Sequence, residues 1–180
     1  RDDAMMDELL FDLAENLFRN QQYAAAATWF ERLLKDYPKH SQREWILRLS
    51  AQARFNTGRY AAGLALCVDY LRDYPKHPEA ASMIYLQGES QFFLEKYSEA
   101  VSTFELFLKE NPKHARTRTA RMHIGESHFF GKNWKDALAS FDKLADEKLT
   151  GSVFQQYSFM VGRCHYELKG WDKAVVSFQL

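Results

Sequence analysis

Six histidines, two cysteines and 24 acidic side chains are the residues in this sequence that could hold a metal or do catalysis. His40, His77 and His114 each follow a Pro-Lys pair, and each stands 37 residues from the next. In a stack of equivalent helical units such histidines lie at least one helix diameter apart, about 10 Å. That is too far to share one ion. His123 and His128 are five residues apart, whereas two ligands on one helix face need a spacing of about four. His165 follows Cys164, but no second pair completes a tetrahedral ligand set. There is no Gly-rich phosphate loop, no His-Glu-x-x-His and no serine placed on a strand-to-helix turn. The carboxylates recur with the spacing of a helix surface. These residues therefore predict no catalysis, no cofactor and no metal.

The bulk properties narrow the class further. The chain has 180 residues with 24 basic and 24 acidic side chains, a net charge of zero. That balance gives no electrostatic case for nucleic acid or for an anionic membrane surface. Hydrophobic residues make up 46%, enough for a sizeable core, which excludes a disordered or fibrous chain. No apolar run approaches the roughly 18 residues of a membrane span, so direct membrane insertion is not expected. Only 8 glycines and 4 prolines accompany 15% aromatics, which points to helices packed on helices. Residue 1 is Arg, so we expect a processed chain or a fragment of a longer one, and the absence of a targeting signal decides nothing.

The elements that position these residues repeat. Pro-Lys-His occurs at 38–40, 75–77 and 112–114. An aromatic column runs Tyr23, Tyr60, Tyr97, Trp134, Trp171, and a small residue follows three positions later at Ala26, Gly63, Ala100, Ala137 and Ala174. A second small column is Ala14, Ala51, Gly88, Gly125, Gly162, and a bulky one is Phe30, Phe104, Phe141, Phe178, with Cys67 in the second repeat. The period divides the chain into repeats at about 4–40, 41–77, 78–114 and 115–151, with a partial one at 152–180.

Each repeat reads as two helices. In the third, Pro78 suits a first helical turn, and the first helix runs to about Phe93. A second helix runs from about Tyr97 to Glu110 and stops before Pro112. Lys113 and His114 then lie where positive charge favours a helix C-terminus. The small columns let facing backbones approach, so Gly63 and Cys67 predict looser packing in the second repeat. The fourth repeat ends without proline, and Gly151 is expected to break the helix there. Cys67 and Cys164 fall in non-adjacent repeats, so they cannot meet, and Cys67 sits in a core column where a thiol is inert.

These columns resemble the tetratricopeptide repeat, whose series of small, aromatic, Ala, aromatic and Pro is matched here by Gly88, Tyr97, Ala100, Phe104 and Pro112. The usual repeat is about 34 residues, and the extra three are expected to lengthen the start of each first helix. The longer unit, its Asp-Tyr-Pro or Glu-Asn-Pro ending and its Gly-Glu-Ser look like the bacterial envelope branch, the barrel-assembly lipoproteins and the periplasmic partners of the Tol system. The resemblance implies an all-α fold, a right-handed α-α superhelix of antiparallel helix pairs. It also implies a non-catalytic scaffold for protein partners, periplasmic, with the cytoplasm as the alternative compartment. One departure concerns the first helix, where the family's aromatic comes one position late, at Phe18, Phe55, Phe92, Phe129 and Tyr166.

The resemblance also implies a concave face built by the first helices. Carried over by position, it comprises Trp45, Arg48 and Phe55; Tyr85, Glu89, Phe92 and Phe93; Met122, Glu126, Phe129 and Phe130; and Phe159, Arg163 and Tyr166. Two readings stay open for the late aromatic column: a ladder that anchors an apolar peptide, or packing between neighbouring first helices. Phe93 and Phe130 are the better surface candidates, since both rings of a Phe-Phe pair rarely point inward. Glu15, Gln52, Glu89, Glu126 and Arg163 form a column that is either an acidic stripe or a solvated face. The basic clamp of co-chaperones is absent, because its places hold Phe11, Glu15, Leu49, Ser82 and Leu86, or Arg48, Gln52, Leu86, Thr119 and His123. The rival readings are a structural spacer and an accessory array of a larger, catalytic protein. Val175, Val176 and Phe178 offer no polar cap, which predicts self-association through the C-terminal end.

Overall fold

The computed structural model describes residues 2–145 and 149–179, which form ten α-helices. One compact unit, Arg1–Leu94, contains α1 (Asp2–Arg19), α2 (Tyr23–Asp36), α3 (Arg43–Asn56), α4 (Tyr60–Asp73) and α5 (Ala80–Phe93). The other, Glu95–Leu180, contains α6 (Tyr97–Glu110), α7 (Thr117–Phe130), α8 (Trp134–Ala145), α9 (Gly151–Glu167) and α10 (Trp171–Phe178). Within each unit every helix packs on the next, and first helices touch first helices: α1 on α3, α3 on α5, α7 on α9. The fold is all-α, built from stacked helix pairs.

Helical spacing of apolar residues explains each element. In α2 the buried residues are Ala26, Ala27, Phe30 and Leu33, one stripe at three- and four-residue steps. Ala26, Phe30 and Leu33 meet Leu10, Phe11 and Ala14 of α1, then Ile46 and Leu49 of α3. A fully buried column at Leu33, Tyr70, Phe107 and Leu144 lies one turn beyond the Phe30 column and has the same 37-residue step.

The small column works differently from the expectation. A Cβ on Gly125 would lie 2.4 Å from the Phe141 ring, and one on Gly162 would lie 2.5 Å from Phe178. Glycine there makes room for a ring, not for a backbone. Gly63 is the backbone case: its Cβ would lie 3.2 Å from the Ala51 carbonyl oxygen and 3.5 Å from the Phe55 nitrogen. Cys67 is fully buried beside it. At Gly63 the small residue thus serves the close backbone approach expected of its column.

The Pro-Lys-His segments also correct the sequence reading. α3, α5 and α7 begin at Arg43, Ala80 and Thr117, so Pro78 lies outside its helix. The extra residues form two successive turns, closed by His40 N–H to Tyr37 O at 3.0 Å and Arg43 N–H to His40 O at 3.1 Å. The histidine rings do not serve the preceding helix end. Nδ1 of His40, His77 and His114 accepts the backbone N–H of Gln42, Glu79 and Arg116 at 3.0, 3.3 and 3.1 Å. The ring acts as an acceptor at the start of the next helix, as an Asx side chain does. Where Gly151 replaces the histidine, α9 starts at that glycine, which has φ +58. Gly151 therefore opens α9 rather than terminating α8, which ends at Ala145.

The turn inside each pair carries a left-handed residue at Gln21, Gly58, Glu95, Lys132 and Lys169, again 37 apart. Bonds such as Arg59 N–H to the Arg54 carbonyl, 2.9 Å, close it as a Schellman motif. Only Gly58 adopts this conformation without steric cost.

Candidate partner-binding face

The proposed face is assembled from the first helices, so its side chains are fixed by the pairs beneath them. On α3, Trp45 is half-exposed and the Arg48 guanidinium lies 4.7 Å from its ring centre. Arg48 Nε is also 3.5 Å from Glu44 Oε1. Glu44 in turn accepts a hydrogen bond from the Tyr70 hydroxyl at 2.6 Å, and that hydroxyl lies 2.8 Å from Nδ1 of His77. Burial, then the Glu44 hydrogen bond, raises the Tyr70 pKa, so the phenol stays protonated. This chain of contacts braces the Trp45–Arg48 pair from below, and the sequence reading missed it. Its signal was available: Tyr70 is the one polar-tipped member of the buried Leu33–Leu144 column.

The late aromatic column packs. Phe55 is edge-on to Tyr60 at 5.3 Å and to Phe93 at 5.6 Å. Phe18 meets Tyr23 at 5.2 Å, and Tyr166 meets Trp171 at 5.0 Å. In these three repeats the ring leans on the aromatic that opens its own second helix.

Phe93 and Phe130 are 48% and 49% exposed, yet both are tied down. Phe93 stacks on Tyr60 at 4.7 Å with planes 13° apart. Phe130 stacks on Tyr97 at 6.0 Å and 23°, the same contact one repeat later. These rings staple one pair to the next.

Four of the carried-over residues are buried: Tyr85, Met122, Glu126 and Phe129. α9 covers part of this set, with Arg163 lying over the Phe129 ring. In the second compact unit, Gln156 of α9 donates to Glu126 Oε1 at 2.5 Å. The His123 Nδ1 lies 2.9 Å from Glu126 Oε2. Gln156 and His123 were not singled out as partners of Glu126, although both fall on groove positions. Glu15 pairs with Arg19 at 3.0 Å and Gln52 donates to Asn56 at 3.0 Å. The column is thus a set of local pairings, not a continuous acidic stripe. Glu89 and Phe92 are partly buried.

Apart from Phe93 and Phe130, the most accessible of these rings lie on α3 in the first unit and on α9 in the second. Along α9, Phe159, Arg163 and Tyr166 form one stripe. Arg163 is held over the rings of Phe129 and Phe159, 5.4 and 5.9 Å from their centres, and lies 3.8 Å from Glu167. A guanidinium held on aromatic faces suits carboxylate or aromatic recognition.

Burial pushes the Cys67 thiol up to about 12. Cys164 is pushed up to about 11, chiefly by burial, with Arg163 opposing. Among the described residues no three His, Cys, Asp or Glu side chains gather as metal ligands, and no helix is long and apolar enough to cross a membrane.

The family model YfiO, described as an outer membrane lipoprotein, matches residues 3–96. A tetratricopeptide repeat model matches residues 85–152. No curated protein matches. Among solved structures, MamA from Desulfovibrio magneticus RS-1 superposes with a TM-score of 0.79 at 15% identity, over 96% of this chain and 91% of that one. A putative kinesin light chain of Podosopora anserina with nearly identical TPR-like repeats gives 0.73 at 14%, over 96% and 91%. A tetratricopeptide repeat protein from Parabacteroides merdae gives 0.75 at 15%, over 96% and 64%. At these identities the likeness concerns the fold alone.

Proposed function

The chain belongs to the YfiO family and is built of tetratricopeptide-type repeats, and from that premise we propose that it is a non-catalytic scaffold holding a partner protein segment against its first helices. The observation that carries this reading is the pair of exposed aromatic–guanidinium sites, Trp45 with Arg48 and Phe159 with Arg163 and Tyr166. Rigid aromatics and arginines concentrate binding energy at protein interfaces. Glu89, Phe55, Phe92, Phe93 and Phe130 complete the proposed surface as its packed surround. Its subdivisions are the five helix pairs bounded near residues 40, 77, 114 and 151. The outer membrane lipoprotein description of the family supports work in an envelope complex on the periplasmic side.

The test is photo-crosslinking from single sites on the chain. A photoreactive residue at Trp45 in the first unit, or at Tyr166 in the second, is expected to trap a partner protein from an envelope extract and none from cytosol. Probes at Val68 and Leu106, exposed on second helices, are expected to trap nothing. Equal trapping from all four sites would remove the first helices as the binding face.

A further inference from the structure

We propose that a cavity between the start of α6 and the C-terminal end of α7 binds the guanidinium of an arginine on a basic partner segment. This site is separate from the first-helix face, to which α7 contributes Met122, Glu126, Phe129 and Phe130.

The cavity holds about 320 Å³ and lies wholly within the second compact unit. One wall is the turn into α6 and the first turn of that helix, with Glu95, Ser98 and Glu99. The other is the last turn of α7 and the turn after it, with Ser127, His128 and Asn133. Among the described residues neither Glu95 nor Glu99 has an ion pair or a side-chain hydrogen bond. Lys96 and Lys132 are close in sequence but are not in the wall. Tyr97 also lines the cavity, and burial, then the Glu95 charge, raises the pKa of its phenol. The negative end of the α7 dipole favours a cation within the last turn.

A second observation, independent of the acids, points to a ligand. Ser127 is 1% exposed, and its Oγ has no hydrogen-bond partner. Ser102, Ser140 and Ser177 each donate their hydroxyl to the carbonyl four residues back. Folded chains leave few buried polar atoms unpaired, and this one belongs to a residue of the cavity wall.

The chain carries its own control. In the first compact unit a cavity of about 390 Å³ occupies the same place, between the start of α2 and the end of α3. There Gln21, Ala24 and Ala25 stand for Glu95, Ser98 and Glu99. Ala53 stands for Ser127, and Arg54 and Arg59 stand for His128 and Asn133. The fold therefore builds the cavity without acids, and α2 starts with none in its first turn. In the second unit two carboxylates and a hydroxyl have been gained and two guanidinium groups lost. Acceptors on both walls suit the five N–H donors of a planar guanidinium better than the compact ammonium of lysine.

The test is a nuclear magnetic resonance titration of the isotope-labelled chain with acetyl-Gly-Arg-Gly-amide. The backbone amides of Gly131 and Asn133, both in the wall, are expected to shift saturably, while Thr57, in the neutral cavity, stays still. Acetyl-Gly-Lys-Gly-amide is expected to bind more weakly, and acetyl-Gly-Gln-Gly-amide not to saturate. The double variant Glu95→Gln, Glu99→Gln and the separate variant Asn133→Arg are each expected to raise Kd at least about tenfold. All three positions are exposed, so the remaining amide signals should keep their places, which separates a lost site from a damaged fold. The proposal is overturned by the absence of saturable shifts at about 10 mM probe, where even millimolar affinity fills most sites. Equal shifts at Thr57, equal binding of the glutamine peptide, or binding that either variant leaves unchanged overturns it too. Tighter filling by the lysine peptide would remove the guanidinium assignment, and tighter filling by spermidine the assignment to a protein side chain.

Discussion

Replacing Gly125 by alanine sets two effects of known sign against each other. Alanine is favoured over glycine inside a helix by about 1 kcal/mol. Against it stands the Phe141 ring. The new Cβ would lie 2.4, 2.6 and 2.8 Å from three of its atoms, where carbon atoms prefer about 3.5–4.0 Å. The ring must retreat by about 1 Å. It is fully buried, so there is no free space to retreat into. Overpacking of this kind costs about 1–3 kcal/mol and occasionally more. Three contacts under 3.0 Å put the steric cost in the upper part of that range, so it outweighs propensity for a net loss of about 1–2 kcal/mol. The assay is urea unfolding followed by far-UV circular dichroism, with hydrogen exchange to localise the loss to α7 and α8. The chain also supplies the control, because Ala51 and Cys67 stand where Gly125 and Phe141 stand. Phe141→Cys alone leaves a cavity and is expected to cost about 3 kcal/mol or more. Combined with Gly125→Ala it should cost less than the sum, with a coupling of about 0.5–3 kcal/mol. A Gly125→Ala chain as stable as the parent, or strictly additive costs in the double variant, would refute the ring-in-glycine account.

Two further outcomes follow from the same geometry. Phe93→Ser removes the stack on Tyr60 and the edge contact with Phe55, so it is expected to lower stability by about 1–2 kcal/mol; an unchanged urea midpoint would return Phe93 to the list of free binding residues. The raised thiols give a pH test: both stay neutral in the folded chain at pH 8, while in the unfolded chain a thiol titrates near about 8.5. A thiolate-selective reagent is thus expected to label neither Cys67 nor Cys164 until denaturant is added, and stability is expected to fall as pH rises past about 8.5. Rapid native labelling of Cys67 would contradict its burial.

The sequence carried the periodic part of the fold openly, because a stacked repeat must place the same volume at the same step. The paired columns of Gly125 with Phe141 and Gly162 with Phe178 could be found as columns. Their mechanism could not, since spacing alone does not distinguish room for a ring from room for a backbone. Gly63 shows this, as its neighbour is the Ala51 carbonyl. The start of each first helix was misread for a related reason. Pro78 is compatible with a first helical turn, but the His77 ring, accepting the Glu79 N–H, already closes a separate turn there. A histidine acting as an acceptor has no signature in composition, and only the contrast with Gly151 and the earlier start of α9 makes its role visible.

The binding face was less legible because a repeat position specifies a place on a helix and not what covers it. Glu126 and Arg163 occupy one column. The first is buried under Gln156, and the second rests on two rings with its charge partly open to solvent. Their opposite charges match these surroundings. A carboxylate is tolerated under a neighbouring helix when that helix brings donors, and Gln156 together with His123 does so. An arginine at the same depth in α7 would have faced Gln156 with no carboxylate to pair with, at the cost of a desolvated charge. The change from Glu to Arg along the column therefore goes with a change in its surroundings, from hydrogen-bond donors at Glu126 to aromatic faces and a carboxylate at Arg163. That inference needs the column from the sequence and the burial from the structure, and neither alone contains it.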